Sequence, residues 1–323
     1  MKNILKGTLA GLGLVLSFGG AQAAQWNMAT PYPDATFHTQ NIYKFADEVE
    51  KATDGKLKIT VHSAGSLVKH PQIKRAVQTG QVQAGEVFIS ILGNENPIYA
   101  VDSIPFLATS YDDAARLWDA SRPKIEQLLG KDGIKLLYAV PWPPQGLYTS
   151  RKVDSVDDLK GLKFRAYNSA TSRLAELTGM TPTQVEVPEI PQAFSTGIVE
   201  AMITSPSTGA NSKAWDFVDR FYDIQAWLPK NMVIINQSAF DALDDDTQQA
   251  VLTAAKHAQE RGWNMSKQEA EAKKEVLSEH GMKVLQPSDG LMKGLSQVGK
   301  KMTQLWLDET GKAGQEIIDD YRQ

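Results

Sequence analysis

The sequence predicts an α/β protein with two sheets, two domains and a helical C-terminal region. Strand-like and helix-like segments alternate along most of the 323 residues, which is the pattern of α/β domains. At roughly 150 residues per domain, this length suggests two domains, each long enough to bury a core. Hydrophobic residues make up 42% of the chain and charged residues 22%, which is typical of a globular protein rather than a disordered or fibrous one.

Charge and cysteine content exclude several classes of function. The chain has 34 Lys and Arg against 38 Asp and Glu, so its formal net charge is −4. This balance argues against nucleic acid as a partner, because phosphate binding relies on a basic surface. The sequence contains no cysteine, which excludes disulfides, CxxC redox sites, thiolate zinc sites and cysteine nucleophiles.

Residues 1–23 have the pattern of a secretory signal peptide. Lys2 and Lys6 precede an apolar stretch over 9–21, and Ala21-Gln22-Ala23 supplies the small-x-small pattern of a cleavage site. The apolar stretch is shorter than the about 20 residues of a transmembrane helix, and glycines interrupt it. We therefore expect export to the periplasm of a Gram-negative bacterium, cleavage after Ala23 and a soluble mature chain.

The first half of the mature chain begins with a strand over 26–29. Aromatic and aliphatic residues near a 3.6-residue spacing then predict a helix over 35–52, which ends at Asp54-Gly55. Leu57, Ile59 and Val61 alternate with polar residues, as in a half-buried strand. The elements predicted next are a short helix over 71–78, a strand over 86–89, a helix over 112–129 and a buried strand over 134–140.

The second half repeats this order of elements. Ser155-Val156-Asp157-Asp158 is a capping signature, and a strand over 162–167 follows it. Asp245 with Gln248 predicts the start of a long helix that runs to about Glu279. Gly262 marks a candidate kink in that helix. The other predicted elements are a helix over 169–177, strands near 183–185 and over 199–203, a helix over 189–196, a strand over 230–236 and a helix pair beyond Pro287.

The chain shows no recognisable catalytic, metal-binding or cofactor-binding pattern. Its five histidines have neither HExxH nor H-x-H spacing, and GxSxG, GxGxxG and Walker motifs are absent from the sequence. A periplasmic hydrolase would need a nucleophile with a base or a metal cluster, and neither is apparent. We therefore expect no enzyme activity, no metal and no cofactor.

The remaining candidates for a site are polar and aromatic residues near strand ends. Arg165 lies on an otherwise apolar strand, where burying an unpaired charge is costly. This pattern leaves two interpretations open: an internal salt bridge, or a guanidinium that binds an anion through two parallel hydrogen bonds. Trp142 lies in a proline-rich segment over 141–146, where it is either a packing residue or a rigid pocket wall.

Two segments resemble the DctP-type substrate-binding proteins of tripartite ATP-independent periplasmic (TRAP) transporters. Residues 155–165 read SVDDLKGLKFR, similar to the family pattern s-x-x-D-l-K-G-l-K-i-R. Residues 189–201 read EIPQAFSTGIVEA, similar to e-v-y-x-A-l-q-x-G-v-v-D-g. The resemblance covers essentially the whole mature chain, with shorter matches at 45–49, 53–55, 76–82 and 104–107.

The resemblance implies an α/β, two-lobed periplasmic binding protein fold with a long helix spanning both lobes. Ligand would bind in the cleft between the lobes, which close by hinge motion. We expect lobe I to comprise 24–148 plus about 232–272, and lobe II to comprise 149–231 plus about 273–323. The resemblance also implies that Arg165 pairs with a ligand carboxylate, which favours the second interpretation of this arginine.

Several other residues are expected at the cleft. Ser205 lies near the position of a family asparagine that contacts the ligand carboxylate. Gln145 and Tyr148 occupy a stretch that carries a second basic contact in acid-sugar binders, which weakens the expectation of a second anionic group. Lys69 would favour such a group if it faces inward, and is otherwise a solvated loop charge. The further candidate ligand contacts are Trp142, Phe37, Glu86, Asn168 and Trp215.

These observations predict a solute-binding protein that captures a small organic acid, such as a 2-oxo or aromatic monocarboxylate. It would deliver the acid as a soluble monomer to the small and large membrane subunits of a TRAP permease. A C4-dicarboxylate or sulfonate ligand is the alternative within the family. The alternative outside it is a ligand sensor or a binding protein of an ATP-driven importer.

Overall fold

The computed structural model describes residues 23–323, so the predicted signal peptide lies outside the described residues except for Ala23. The strands are β1 (Ala24–Ala29), β2 (Leu57–His62), β3 (Ala84–Phe88), β4 (Ile134–Pro141), β5 (Gly146–Thr149), β6 (Lys163–Ala166), β7 (Thr181–Gln184), β8 (Ala201–Thr204), β9 (Arg220–Tyr222), β10 (Lys230–Asn236) and β11 (Lys283–Leu285). The helices are α1 (Phe37–Ala52), α2 (Ile73–Gln78), α3 (Tyr111–Lys131), α4 (Ser169–Leu177), α5 (Ile190–Ser195), α6 (Pro206–Asn211), α7 (Gln237–Asp241), α8 (Asp245–Glu279), α9 (Asp289–Thr310) and α10 (Lys312–Arg322).

The strands form two mixed sheets, one in each lobe. The first sheet has the order β2-β1-β3-β10-β4, in which β1, β2 and β3 are parallel and β10 is antiparallel to both of its neighbours. The second sheet has the order β11-β9-β5-β8-β6-β7, in which β6, β7 and β8 are parallel. We refer to the lobes built on these sheets as the first lobe and the second lobe.

Two crossing segments, 142–145 and 223–229, connect the sheets and run beside each other. The Trp142 backbone N–H donates to the Pro229 carbonyl at 2.8 Å, and the Gln145 N–H donates to Trp227 at 3.0 Å. The Ala226 N–H returns a bond to the Gln145 carbonyl at 2.9 Å. This backbone pairing makes the connection between the lobes a short two-stranded ribbon.

Helix α8 spans both lobes, as the resemblance implied. Its first half packs on α1 and β4, where the side-chain amide of Asn41 donates to the Ala258 carbonyl at 2.8 Å. Its second half contacts α6 and β11, and Ser207 of α6 donates to Glu269 at 2.6 Å. Lys274 of the same half pairs with Asp223 of the crossing segment at 3.1 Å. One continuous helix therefore makes polar contacts to both lobes.

Most predicted elements are present, with differences at their ends. The helix over 169–177 and the strand over 230–236 have the predicted bounds. The cap of α8 was predicted at Asp245, but Asp244 occupies that position and accepts the Thr247 N–H at 2.8 Å. Strands β9 and β11 were not predicted, because three-residue strands are too short to show a period in the sequence.

The strands of the two sheets can be compared with the predicted lobe boundaries. Strand β5 over 146–149 pairs with β8 and β9, so the chain has entered the second sheet by Gly146. Helix α10 contacts α3 of the first lobe, and Lys124 and Glu316 pair between them at 2.7 Å. The exact lobe limits remain a prediction, and the crossing segments are the better markers of where the lobes meet.

Candidate functional site

A cavity between the lobes lies where parallel strands of both sheets end. Tyr32 follows β1 and Phe88 ends β3, while Tyr167, Glu186 and Ser205 follow β6, β7 and β8. The carboxyl ends of parallel strands are the usual place for ligands in α/β proteins. The space between the lobes at this point, counted together with its solvent-open mouth, is about 470 Å³. The lining residues are Tyr32, His70, Phe88, Ile91, Trp142, Gln145, Arg165, Tyr167, Glu186, Val187, Thr204, Ser205, Thr208 and Pro229.

Arg165 reaches this cavity from β6 and is 2% exposed. Its Nε donates to the Val185 carbonyl at 3.0 Å, and its guanidinium carbon lies 4.8 Å from the centre of the Tyr167 ring. In residues 23–323, no carboxylate oxygen lies within 4.0 Å of the guanidinium nitrogens. The internal salt bridge that the sequence left open is therefore not formed within this part of the chain.

The guanidinium remains charged at neutral pH despite its burial. Loss of hydration lowers the pKa of Arg165 to about 10, and the nearby Tyr167, Glu186 and Tyr32 oppose this shift. A buried cation without an anion at hydrogen-bond distance is costly, and a bound carboxylate is the group that would compensate it.

Aromatic side chains form one wall of the cavity around Trp142. The Trp142 ring centre lies 5.1 Å from that of Tyr32, with the two planes nearly perpendicular. Phe37 lies behind this wall, 5.5 Å from Trp142, and does not line the cavity. The rings of Phe88 and Tyr167 meet edge to face at 5.6 Å and join the two lobes. Such a wall suits a flat or ring-shaped ligand body.

A buried network of hydrogen bonds holds the indole of Trp142 in place. The indole Nε1 donates to Asn231 Oδ1 at 2.9 Å, and Asn231 Nδ2 donates to Glu86 Oε1 at 2.7 Å. Thr30 donates to the second oxygen of Glu86, and His38 Nδ1 lies 3.5 Å from the first. Burial raises the pKa of Glu86 to about 7. Glu86, predicted as a ligand contact, does not line the cavity; Asn231 connects it to Trp142, which does.

Gln145 and Ser205 line the cavity, but both already have partners. Gln145 Nε2 donates to the Pro143 carbonyl at 2.9 Å, and its Oε1 accepts a long bond of 3.4 Å from the Tyr167 hydroxyl. The Ser205 hydroxyl accepts the Thr208 N–H at 3.0 Å, capping α6. Each side chain is therefore held in one orientation at the edge of the cavity.

Glu186 and His70 meet across the cleft. His70 belongs to the first lobe and Glu186 to the second, and His70 Nδ1 lies 3.8 Å from Glu186 Oε2. The Phe88 backbone N–H donates to the other ring nitrogen of His70 at 3.3 Å. A hydrogen bond from His70 is the main cause that holds the pKa of Glu186 below its usual range; the charge of Arg165 adds to it, and burial opposes it.

The structure places three other predicted residues away from the lining. Tyr148 is fully buried in the second lobe, where its hydroxyl donates to the Ser205 carbonyl at 3.2 Å. Trp215 stacks on His280 with ring centres 3.9 Å apart. Lys69 is exposed, and its neighbour His70 is the residue of that loop that lines the cavity.

Asn168 has a different role from the predicted one. It caps α4 by accepting the Thr171 N–H at 2.8 Å. Its side-chain amide also donates to Ser90 Oγ at 2.8 Å, across the cleft from the second lobe to the first. Asn168 therefore joins the lobes beside the cavity without lining it.

Sequence reasoning missed Tyr32 and Glu186 as lining residues. Tyr32 follows a strand that ends in a proline-rich turn, and Glu186 follows a four-residue strand with two exposed positions. Both lie just after parallel strands, so the rule that ligands bind at the carboxyl ends of such strands is the signal that identifies them.

Residues 23–323 contain no group of three or more His, Asp or Glu side chains arranged to hold a metal ion. No helix in the same range is long and apolar enough to cross a membrane.

Comparisons with known proteins agree with this architecture. The family model for DctP, bacterial extracellular solute-binding protein, family 7, matches residues 28–309. The solved structure of DctP7 from Bordetella pertussis, an extracytoplasmic solute receptor binding pyroglutamic acid, is 47% identical with a TM-score of 0.91. The match covers 93% of this chain and 100% of DctP7.

Two further structures are similarly close. DctP6 from Bordetella pertussis, also a receptor binding pyroglutamic acid, is 44% identical over 93% of this chain and 99% of its own, with a TM-score of 0.91. A TRAP solute-binding protein of an unidentified marine microbe, specific for pyroglutamate, is 43% identical to this chain, with a TM-score of 0.90. The match covers 93% of this chain and 99% of the marine protein. These proteins are solute receptors rather than enzymes. The chain belongs to family 7 of the bacterial extracellular solute-binding proteins, the DctP family, whose structurally characterised relatives include TRAP solute receptors.

Proposed function

We propose that this protein captures a small monocarboxylate between its lobes and holds the carboxylate on Arg165. The observation that carries this proposal is a buried, charged guanidinium that borders a cavity and has no carboxylate within 4.0 Å in residues 23–323. A carboxylate would accept two parallel hydrogen bonds from the guanidinium, and lobe closure would exclude water from the pair.

The lining favours one acidic group on the ligand. Among the described residues that line the cavity, Arg165 alone is an arginine or lysine. The exposed position of Lys69 agrees with its interpretation as a solvated loop charge. A C4-dicarboxylate would bring a second charge to a wall of Trp142, Tyr32 and Phe88, where it would lose hydration without a counter-charge.

Pyroglutamate is the first compound to test. It carries one carboxylate on a small, nearly flat lactam ring, which matches the single cation and the aromatic wall. Three solute receptors that are 43–47% identical to this chain bind it, according to their descriptions. The 2-oxo and aromatic monocarboxylates predicted from the sequence share the carboxylate and the flat body, so they belong in the same panel.

Delivery to a TRAP permease with small and large membrane subunits is part of this proposal. The signal-peptide pattern in residues 1–23 supports release into the periplasm, where such a receptor would meet its ligand. We expect capture of the ligand to involve no cofactor.

Calorimetric titration of the mature protein, stripped of bound ligand by unfolding and refolding, tests the proposal. We expect pyroglutamate or another monocarboxylate of the panel to bind the wild type. We expect Arg165→Ala to weaken this binding about 30-fold to several thousand-fold, corresponding to about 2–5 kcal/mol for truncating one partner of a buried ion pair.

Arg116→Ala is the matched control, because Arg116 is exposed, lies outside the cavity lining, and forms a salt bridge with Asp113 on the same helix. The ligand-free Arg165→Ala protein should keep its fold and unfold in one cooperative transition, so that a loss of binding is separated from a loss of structure. Unchanged affinity in Arg165→Ala, or no binding of any panel acid by the stripped wild type, would contradict the proposal.

A further inference from the structure

The cavity presents a carboxylate as well as a guanidinium. Glu186 lines it directly after Val185, whose carbonyl accepts the hydrogen bond from Arg165 Nε. The Glu186 side chain is 39% exposed, so it is open to a molecule entering the cleft. The guanidinium and the carboxylate come from neighbouring parallel strands, β6 and β7, and face the same small space.

Glu186 is not the ion-pair partner of Arg165. Its oxygens lie beyond 4.0 Å from the guanidinium, whereas Glu186 Oε2 lies 3.8 Å from His70 Nδ1. Because the Phe88 N–H donates to His70 Nε2, the ring proton sits on Nδ1, which faces Glu186. This contact is long, and the other donors at the Glu186 carboxylate are the Gln184 side chain and the Glu189 backbone N–H. An ionised carboxylate offers about four acceptor positions on its two oxygens, so capacity for a further donor remains.

We propose, building on the function proposed above, that Glu186 selects the ligand by accepting a hydrogen bond from an N–H group on its body and by repelling a second carboxylate. The substrate class is then a monocarboxylate that carries an N–H donor, as a lactam does. A polar site of this kind discriminates strongly, because a ligand without the donor leaves a desolvated acceptor unpaired. A second carboxylate on the ligand would also be rejected, because it and Glu186 carry like charges that repel each other in the closed cavity.

A matched pair of ligands tests the donor part of this inference. L-Pyroglutamate carries a lactam N–H, and 5-oxotetrahydrofuran-2-carboxylate has a ring oxygen in that position with nearly the same shape. We expect the stripped wild type to bind the lactam at least 30-fold more tightly than the lactone in calorimetric titrations. Glutarate, a dicarboxylate of similar length, should bind more weakly than either.

Substitution of Glu186 should change the ranking of ligands rather than weaken all of them together. A glutamine amide can accept from the lactam or donate to the lactone, so Glu186→Gln should reduce the lactam-to-lactone ratio to below about fivefold. The same variant should bind glutarate at least tenfold more tightly than the wild type does. Glu186→Ala, which has no polar group, should also lose the discrimination, and Glu176→Gln on the exposed face of α4 should behave as wild type.

The outcomes separate this inference from the proposed function. Equal binding of lactam and lactone by the wild type, or a uniform loss of affinity for every ligand in Glu186→Gln, would overturn the role of Glu186 while Arg165-dependent binding stands. A panel acid without an N–H donor that binds most tightly would overturn it as well. Failure of the stripped wild type to bind any monocarboxylate would instead overturn the proposed function.

Discussion

Glu86 is a buried side chain that does not line the cavity but orients a residue that does. It is 1% exposed, accepts hydrogen bonds from Thr30 and Asn231, and through Asn231 orients the indole of Trp142. Burial in a water-poor environment raises its pKa to about 7, and the two hydrogen bonds only partly oppose this shift. Its proton is therefore retained in the folded protein at a pH where the unfolded chain has lost it.

This retention predicts that the contribution of Glu86 to stability decreases as the pH rises. Below the unfolded pKa of 4.5 the contribution is fully present, and it is lost as the pH rises through about 7. From the shift, the loss is on the order of 3 kcal/mol in the free energy of unfolding. Glu86→Gln, which mimics the protonated acid, should remove this part of the pH dependence.

Denaturant unfolding of the ligand-free wild type and Glu86→Gln between pH 5 and pH 8 measures the effect. The titratable groups that face Glu86 are His38, Tyr32 and Tyr138. Burial keeps the pKa of His38 well below its usual value and the pKa of both tyrosines well above theirs. These groups are common to both proteins, so the difference between the two curves isolates Glu86, and parallel curves would refute the prediction.

Helix α8 contains a glycine where the sequence suggested a kink, and the structure provides a packing reason for it. The helix continues without interruption through Gly262. A Cβ atom at this position would overlap with Val140 Cγ2 and would lie 2.8 Å from Asn41 Nδ2. The glycine therefore allows α8 to approach β4 and α1 more closely than any other residue would permit.

We expect Gly262→Ala to lower the free energy of unfolding by up to about 2 kcal/mol. Alanine improves intrinsic helix propensity by about 1 kcal/mol, but overpacking against Val140 costs about 1–3 kcal/mol and outweighs it at this contact. Gly130→Ala is the matched control, because Gly130 lies in α3 and has open space around its missing Cβ.

Urea unfolding of both variants checks this prediction. Gly130→Ala should gain up to about 1 kcal/mol in the free energy of unfolding, since only the propensity changes. A stabilised Gly262→Ala would show that α8 and β4 can separate without cost, and would leave the glycine without a packing role.

At the scale of the whole molecule, the lobes are joined by a two-stranded ribbon, by α8 and by direct contacts beside the cavity. The contact between Asn168 and Ser90 is a buried hydrogen bond of 2.8 Å, and the pair of His70 and Glu186 lies at the cavity itself. These contacts exist only when the lobes are close together. They therefore stabilise the closed arrangement relative to an open one, in which the same groups would bind water.

Ser90→Ala should weaken ligand binding about 2- to 10-fold, the effect of one net hydrogen bond of about 0.5–1.5 kcal/mol. Ser90 does not line the cavity, so the loss would come from the closing equilibrium and should appear as faster ligand dissociation. Stopped-flow dissociation and calorimetry together measure it.

Ser121→Ala is the control for this measurement. Ser121 is also buried, but its hydroxyl donates to the Trp118 carbonyl within α3 and crosses no lobe boundary. Wild-type affinity in Ser90→Ala, or an equal loss in Ser121→Ala, would mean that the bond to Asn168 does not contribute to closure.

Local patterns in the sequence were enough to predict the elements that position the site. The strand that carries Arg165 and the helix over 169–177 follow from hydrophobic period and capping signals, which depend on neighbouring residues. The orientation of Tyr148 could not be predicted in the same way. It depends on how β5 lies between β8 and β9, and these contacts join residues more than fifty positions apart.

The α/β class and the family follow from the amino-acid sequence, because hydrophobic period and motifs are local properties of the chain. Residue chemistry also made Arg165 the predicted ligand contact. The packing of the lobes is needed to see that Arg165 has no carboxylate within 4.0 Å in the described chain and that Glu186 and His70 face each other across the cleft. The packing also connects Glu86 to Trp142 through hydrogen bonds to Asn231. Burial and pairing depend on which distant segments meet, and only the packing of the two lobes sets those distances.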